Sequence, residues 1–252
     1  MNLLFSRFGG KKTKAKEIIS YFPDHETYVE PFLGSGAIFL EKEPAKFSVL
    51  NDLDPVIYNI FRLTKHYGED FDKFNQSGGF DWTPDRDRWN DYKQSIHFGT
   101  MPISEIEELF RSIYVIHHSW SGIGTSFTSN RRKNNKYMVK LGDYKETLKH
   151  SSIRMEDYLV TIKTFDGPNT FFYLDPPYQI GLEKKYYEHD NQMTLETLAE
   201  TLKGLKGMFC LSLDITPTTT ELFKDFVCHK INFNYNTSSN KGTRAEYLIT
   251  NY

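Results

Sequence analysis

The stretch Asp175-Pro176-Pro177-Tyr178 joins residue types that can act on a planar amine. It follows the apolar run Phe171-Phe172-Tyr173-Leu174, which reads as a buried parallel strand. The four residues therefore stand at a strand's C-terminal end, where open α/β sheets bind ligands. The two prolines remove N–H donors and restrict their neighbours, so the turn is stiff and cannot continue the sheet. A carboxylate, free carbonyls and an aromatic ring remain at one fixed point. Asp175 can accept one N–H of an exocyclic amine such as that of adenine, and the Pro176 carbonyl the other. Tyr178 can stack on the ring. The alternative for four letters is a rigid surface turn.

The first sixty residues supply the elements that would stand beside this turn. Lys14 to Phe22 has apolar Ala15, Ile18, Ile19 and Phe22 at helical spacing. Thr27 to Phe32 reads as a short strand, followed by Gly34-Ser35-Gly36 and a helix through Phe39-Leu40. Phe47 to Leu50 is a second strand, ending in Asn51-Asp52. Asp54-Pro55 opens another helix as N-cap and first helical residue. Gly34 and Gly36 let a ligand approach the backbone at a helix N-terminus, and Asp52 is placed to bind a ribose diol. The full G-x-G-x-x-G fingerprint is absent, which suits a nucleoside without a phosphate better than a dinucleotide.

Composition narrows the class. The 252 residues allow one large domain or a core domain with an insertion, and 38% hydrophobic with 25% charged residues fits a globular protein. A net charge of −2 argues against a basic module that coats nucleic acid, so any such contact must come from local patches. The 15% aromatic content gives weak support to a stacking surface. Cys210 and Cys228 are too few for a disulfide framework or a metal cluster, and Cys210 sits in an apolar run that suits a buried thiol. No signal peptide or membrane span is legible, so a cytoplasmic setting is expected.

Tyr28-Val-Glu-Pro-Phe-Leu-Gly-Ser-Gly36, Asn51-Asp52 and Asp175-Pro-Pro-Tyr178, in that order, resemble the D12 class of adenine-N6 DNA methyltransferases, the Dam-like enzymes. Gly9-Gly10-Lys11 resembles that family's N-terminal cofactor motif, and Glu246 to Asn251 its closing strand. The resemblance implies a Rossmann-like α/β fold with an inserted, mainly helical DNA-recognition lobe, and S-adenosylmethionine as methyl donor with no metal. Residues 1–62 and 150–252 would form the catalytic domain and residues 63–149 the lobe. Carried over residue by residue, Glu30, Phe32, Gly34 and Gly36 would lie against the donor's methionine part and Asp52 would hold its ribose. Asp157, with Tyr158 beside it, would meet its adenine. Lys11 would contact the donor or the extruded base. The family often has an aromatic residue two or three places before the Gly-Gly; here Arg7-Phe8 precede it directly, and Phe8 is the candidate for that role. Asp175, Pro176, Pro177 and Tyr178 would bind the target adenine after it leaves the duplex, because its amine cannot otherwise reach the donor. Both amine hydrogens held by acceptors favour a more tetrahedral nitrogen and in-line attack on the methyl group, with no covalent intermediate.

Within 63–149, Ser104 to His117 reads as a helix with Ser104 and Glu107 as a capping box. The charged run Asp85 to Asp91 lies earlier in the lobe. Ser119 to Phe127 is a Gly-rich loop with Trp120 and Ser121, followed by Asn130, Arg131, Arg132, Lys133 and Lys136. Such amides, guanidinium groups and aromatics suit phosphate contacts and base-edge readout, against the default of a solvated charged loop. The segment departs from the family's best-known members, so no target sequence is carried over.

His117-His118 reads as a helix-end pair rather than a metal site. Tyr186-Tyr187 could line DNA, cap the donor or pack a loop. Ser212-Leu213-Asp214 stands at another strand end and could border the pocket. Lys241 to Arg244 is a phosphate contact or a basic hairpin turn. The expected partner is double-stranded DNA, with no membrane. The sequence leaves open a cognate restriction endonuclease and the choice of monomer or weak dimer. The rival readings are a methyltransferase for RNA or another planar amine, and a catalytically silent DNA-binding relative.

Overall fold

The computed structural model describes residues 2–99, 104–129, 137, 139–177, 194–236 and 241–252, with 233–236 and 241–244 described by backbone only. Among these, the strands are β1 (Thr27–Glu30), β2 (Phe47–Asn51), β3 (Ser151–Arg154), β4 (Thr170–Leu174), β5 (Met208–Asp214), β6 (Val227–Asn236) and β7 (Lys241–Thr250). The α-helices are α1 (Ala15–Ile19), α2 (Pro55–Gln76), α3 (Arg86–Phe98), α4 (Glu105–His117), α5 (Lys145–Leu148), α6 (Tyr158–Phe165), α7 (Leu195–Lys203) and α8 (Pro217–Leu222). The chain forms two compact units. One comprises Met1–Lys11, Gly34–Glu41 and Asp52–Met155; the other comprises Lys12–Leu33, Lys42–Asn51 and Glu156–Tyr252.

The second unit holds a mixed sheet in the order β2-β1-β4-β5-β7-β6. β1 pairs in parallel with β2 and β4, and β4 with β5. β7 runs antiparallel between β5 and β6. This arrangement agrees with the expected Rossmann-like methyltransferase fold. One sheet face carries Val29, Val49, Phe172, Leu174, Phe209, Leu211 and Ile249, packed with Tyr158 and Ile162 of α6 and Leu198 and Leu202 of α7. On the other face, the Phe22 ring lies 4.5 Å from Phe171 and 5.6 Å from Tyr173, centroid to centroid. Burial on both faces explains why Phe171 to Leu174 is apolar without alternation. Each such side chain contributes roughly 1.5–3 kcal/mol.

The first unit is helical around α2. Asp54 caps it, its carboxylate accepting the Val56 N–H at 3.0 Å, and Pro55 stands first in the helix as expected. The unit's aromatic residues form a core: Phe80 stacks on Phe110 at 4.3 Å and Trp82 meets Phe110 edge-on at 4.9 Å. Polar tips find partners. The indole N–H of Trp82 donates to Asn75 and that of Trp89 to the Val115 carbonyl, both at 2.8 Å. The hydroxyl of Tyr114 donates to the Thr83 carbonyl at 2.7 Å. Many of the chain's aromatic residues therefore pack this unit.

Several expectations change. The segment after Gly36 is a series of turns, closed by the Leu40 N–H on the Gly36 carbonyl at 2.9 Å, and no helix forms through Phe39-Leu40. The four residues Ala37 to Leu40 are all buried, which a one-faced helix cannot do, and Pro44 follows closely. The helix expected over Lys14 to Phe22 is the five-residue α1 behind a 3₁₀ turn. The run Asp85 to Asp91 opens α3, with Asp85 accepting the Arg88 N–H at 2.7 Å. Ser104 caps α4, but the Glu107 carboxylate pairs with Arg111 at 2.9 Å. Residue 63, where the inserted lobe was expected to begin, lies inside α2. Among the described residues no helix is long and apolar enough to cross a membrane.

Candidate active site

In the first unit, Gly34 and Gly36 take φ of +50° and +65°, the left-handed region that favours glycine. The turn they shape delivers the Gly34 N–H to Asp52 Oδ2 at 2.7 Å, while Asp52 Oδ1 accepts the Asp54 N–H at 3.0 Å. Each oxygen keeps a further acceptor position, which is what a vicinal diol requires. Burial pushes the Asp52 carboxyl above the ordinary carboxylate range; the Arg7 guanidinium pulls it down and Asp54 raises it. Arg7 Nη1 lies 3.3 Å from Asp54 Oδ2. With no helix after Gly36, backbone N–H groups and Asp52 supply the polarity here, not a helix dipole.

The Gly9-Gly10 segment approaches this turn. A Cβ on Gly10 would lie 3.0 Å from the Arg7 carbonyl oxygen and 3.4 Å from Ser35 Oγ. Lys11 is buried. Phe8 is half-exposed: its N–H donates to the Ser121 carbonyl at 2.9 Å and its ring centroid lies 6.2 Å from that of Trp120. The structure thus pairs Phe8, expected at the donor, with Trp120, expected at DNA. Ser121 (φ +51°) and Gly122 (φ +68°) make the sharp turn that presents this pair.

In the second unit, Asp175 and Pro176 leave the end of β4, Asp175 partly exposed and Pro176 buried. The register Leu174↔Leu211 sets Asp175 level with Ser212 on β5. Ser212 Oγ donates to Glu246 Oε2 at 3.1 Å, and Asp214 pairs in register with Glu246. All three are buried, so a polar seam runs along the strand ends that the sequence suggested as pocket border. Glu30 is also buried and accepts the Tyr28 hydroxyl at 2.8 Å, with Lys42 Nζ 4.4 Å from the Tyr28 ring centre. Burial, then the Glu30 charge, push the Tyr28 hydroxyl well above its usual range. Phe32 packs against Tyr158 at 5.2 Å. Asp157 is exposed and serves as N-cap of α6, accepting the Leu159 N–H at 2.8 Å.

Sequence reasoning missed two residues. Asn51, 1% exposed, bonds both Pro31 and Glu156 of the second unit. Its position before Asp52 was the available signal. Arg7 shows in the sequence only as a departure ahead of Gly9-Gly10.

Tyr178, Tyr186, Tyr187, Asn130, Arg131, Arg132, Lys133 and Lys136 lie outside the described residues. Lys241 to Arg244 belong to β7, not to a turn. His117 and His118 stand at the end of α4, with the His118 ring 4.4 Å from Tyr114. Among the described residues no group of three or more His, Cys, Asp or Glu side chains is placed to hold a metal ion. Cys210 is buried and Cys228 exposed, both as free thiols, and burial pushes the Cys210 thiol far up.

Residues 8–237 match the family described as D12 class N6 adenine-specific DNA methyltransferase. The type II methyltransferase M1.LlaDCHI of Lactococcus lactis subsp. cremoris is 28% identical, over 97% of this chain and 93% of that protein. The DNA adenine methylase of Escherichia coli K12 is 23% identical, over 94% and 90%. A solved structure of precorrin-6y C5,15-methyltransferase from Geobacter metallireducens GS-15 is similar over 98% of this chain and 93% of its own, at 11% identity and a TM-score of 0.42.

Proposed function

The chain belongs to the D12 class of N6 adenine-specific DNA methyltransferases, and we propose how its residues divide the work of that reaction. It is an S-adenosylmethionine-dependent enzyme acting on adenine in DNA. The bound donor supplies an electrophilic methyl group on its sulfonium centre. Asp52 accepts the hydroxyls of the donor's ribose, and the Gly34–Gly36 turn admits its methionine part. Phe32 lies against the donor's methionine part, and Tyr158, packed on Phe32 at 5.2 Å, meets the donor's adenine together with Asp157. Lys11 contacts the donor or the extruded base, and Glu30 meets the donor's methionine part.

At the target, Asp175 accepts one N–H of the adenine amine and the Pro176 carbonyl the other. Pro177 stiffens the turn and Tyr178 stacks on the base. The base leaves the duplex to reach them, since inside the stack its amine is inaccessible. The Asp175 carboxylate offsets the positive charge that develops on nitrogen, in a site already oriented for it. The observation that carries this reading is Asp175-Pro176 at the end of the fully buried β4. Residues 63–149 serve target recognition, with Trp120, Ser121 and the run from Asn130 to Lys136 toward DNA. The type II name of the Lactococcus relative supports a restriction–modification setting with a cognate endonuclease, and a DNA substrate supports work in the cell interior.

The test is methylation profiling, by single-molecule sequencing, of DNA from cells expressing the chain or its Asp175→Ala variant. N6-methyladenine in one short motif, lost in the variant although donor binding persists, is expected. Unmodified DNA with a folded, donor-binding wild-type chain would overturn the reading.

A further inference from the structure

The first unit contains a continuous path from the Ser119–Phe127 loop to Asp52. The Phe8 N–H binds the Ser121 carbonyl at 2.9 Å, and Gly122 sits so close to the N-terminal segment that a Cβ would lie 1.9 Å from the Ser6 carbonyl oxygen. Tyr137 donates to the Leu4 carbonyl at 2.5 Å and Tyr144 to that of Asn2 at 2.7 Å. The segment is therefore strapped down on both sides of Arg7. From this strap the Arg7 side chain, 9% exposed, reaches Asp54 at 3.3 Å. Asp54 is the N-cap of α2 and gives its own N–H to Asp52. Asp52 closes the path on the Gly34 N–H.

We propose that Arg7 is a positioning residue for the methyl donor: held by the strap on one side and by Asp54 on the other, it keeps the Asp52–Asp54 turn in the shape and charge state that the donor's ribose requires. The proposal rests on the reading of Asp52 given above. Two carboxylates two residues apart, partly withdrawn from water, repel each other and favour protonation of one. A protonated Asp52 loses acceptor capacity for a diol. Arg7, from the N-terminal strap, is the cation acting on Asp52, and Asp54, from its own turn, the anion. The glycine turn contributes the Gly34 N–H, and β3 the Arg154 carbonyl, which accepts the Asp52 N–H at 3.2 Å. Arg7 is thus where loop engagement and donor binding meet, because moving the strap moves the cation.

The experiment uses the full chain and S-adenosylhomocysteine, the demethylated donor, as probe in calorimetry from pH 5.5 to 8. Methyl-transfer rates at saturating donor and melting curves accompany it. Arg7→Gln is expected to weaken binding, and to weaken it more at the acid end of that range than at pH 8, because removing the cation favours the protonated Asp52. The rate at saturating donor changes little. Arg7→Lys, which keeps the charge but loses the guanidinium fork, is intermediate, and it carries the test if Arg7→Gln does not fold. Asp54→Asn removes the repelling charge while remaining a good N-cap, so Arg7→Gln/Asp54→Asn should recover affinity relative to Arg7→Gln. Wild-type affinity and pH dependence in Arg7→Gln, with only a lowered melting point, would overturn the proposal. No binding by the unaltered chain would overturn the donor reading itself, and this proposal with it.

Discussion

Asn51 grips Glu156 on both sides of its backbone: its Oδ1 accepts the Glu156 N–H at 3.0 Å and its Nδ2 donates to the Glu156 carbonyl at 2.9 Å. The same Nδ2 donates to the Pro31 carbonyl at 3.0 Å, and the Leu33 N–H binds the Asn51 carbonyl at 2.9 Å. The chain leaves the second unit after Leu33 and after Asn51 and re-enters it at Glu156. One amide therefore fixes the ends that carry Phe32, Asp157 and Tyr158. Asn51→Ala should cost about 2–4 kcal/mol, from three lost bonds at roughly 1 kcal/mol each and orphaned carbonyls. Asn51→Asp should fare no better, since a carboxylate cannot donate to Pro31 or Glu156. Urea unfolding reads the loss, and donor affinity should fall with it. An Asn51→Asp variant of wild-type stability would rule out this clamp.

Local signals in the sequence carried the parts of the site with local causes. Phe171 to Leu174 is legible because a strand buried on both faces is apolar throughout. Asp54-Pro55 is legible because capping is settled within three residues. Asn51 is not, because its partner lies 105 residues away. α3 hides because only Trp89 on it is buried, so its sequence shows charge instead of an apolar stripe. The segment after Gly36 misleads in the opposite sense: it is apolar enough for a helix, but its burial comes from all sides.

Gly122 gives a paired test of the strap. Alanine there meets the Ser6 carbonyl oxygen at 1.9 Å and must also hold φ near +68°. Gly124 has a similar φ of +82°, but its Cβ would meet only the Ile116 side chain, at 3.5 Å. Gly124→Ala should therefore cost the backbone strain alone, about 1–2 kcal/mol. Gly122→Ala adds displacement of the N-terminal segment and should cost about 3 kcal/mol or more. It should also weaken donor binding, because Arg7 and Phe8 ride on that segment. Equal effects of the two substitutions on stability and on donor affinity would show that the strap is not tight.

Lys42 makes stability depend on pH in the alkaline range. Burial lowers its pKa from the ordinary 10.5 to about 8, against the opposing pull of the Glu30 and Glu43 carboxylates. Its ammonium lies over the Tyr28 ring; the pKa of nearby His25 is lowered first by burial, and the Lys42 charge adds to that. Below pH 8 Lys42 is protonated in both the folded and the unfolded chain, and the fold bears the whole cost of the buried charge. Between about 8 and 10.5 it is neutral when folded and charged when unfolded, so unfolding takes up a proton. This contribution therefore stabilises the fold progressively as pH rises through that window. Lys42→Met removes it while keeping the length of the side chain. Urea unfolding of both proteins from pH 7 to pH 10 should show the wild type gaining on the variant as pH increases. A difference that stays flat over that range would mean that Lys42 is as well solvated in the fold as in the unfolded chain.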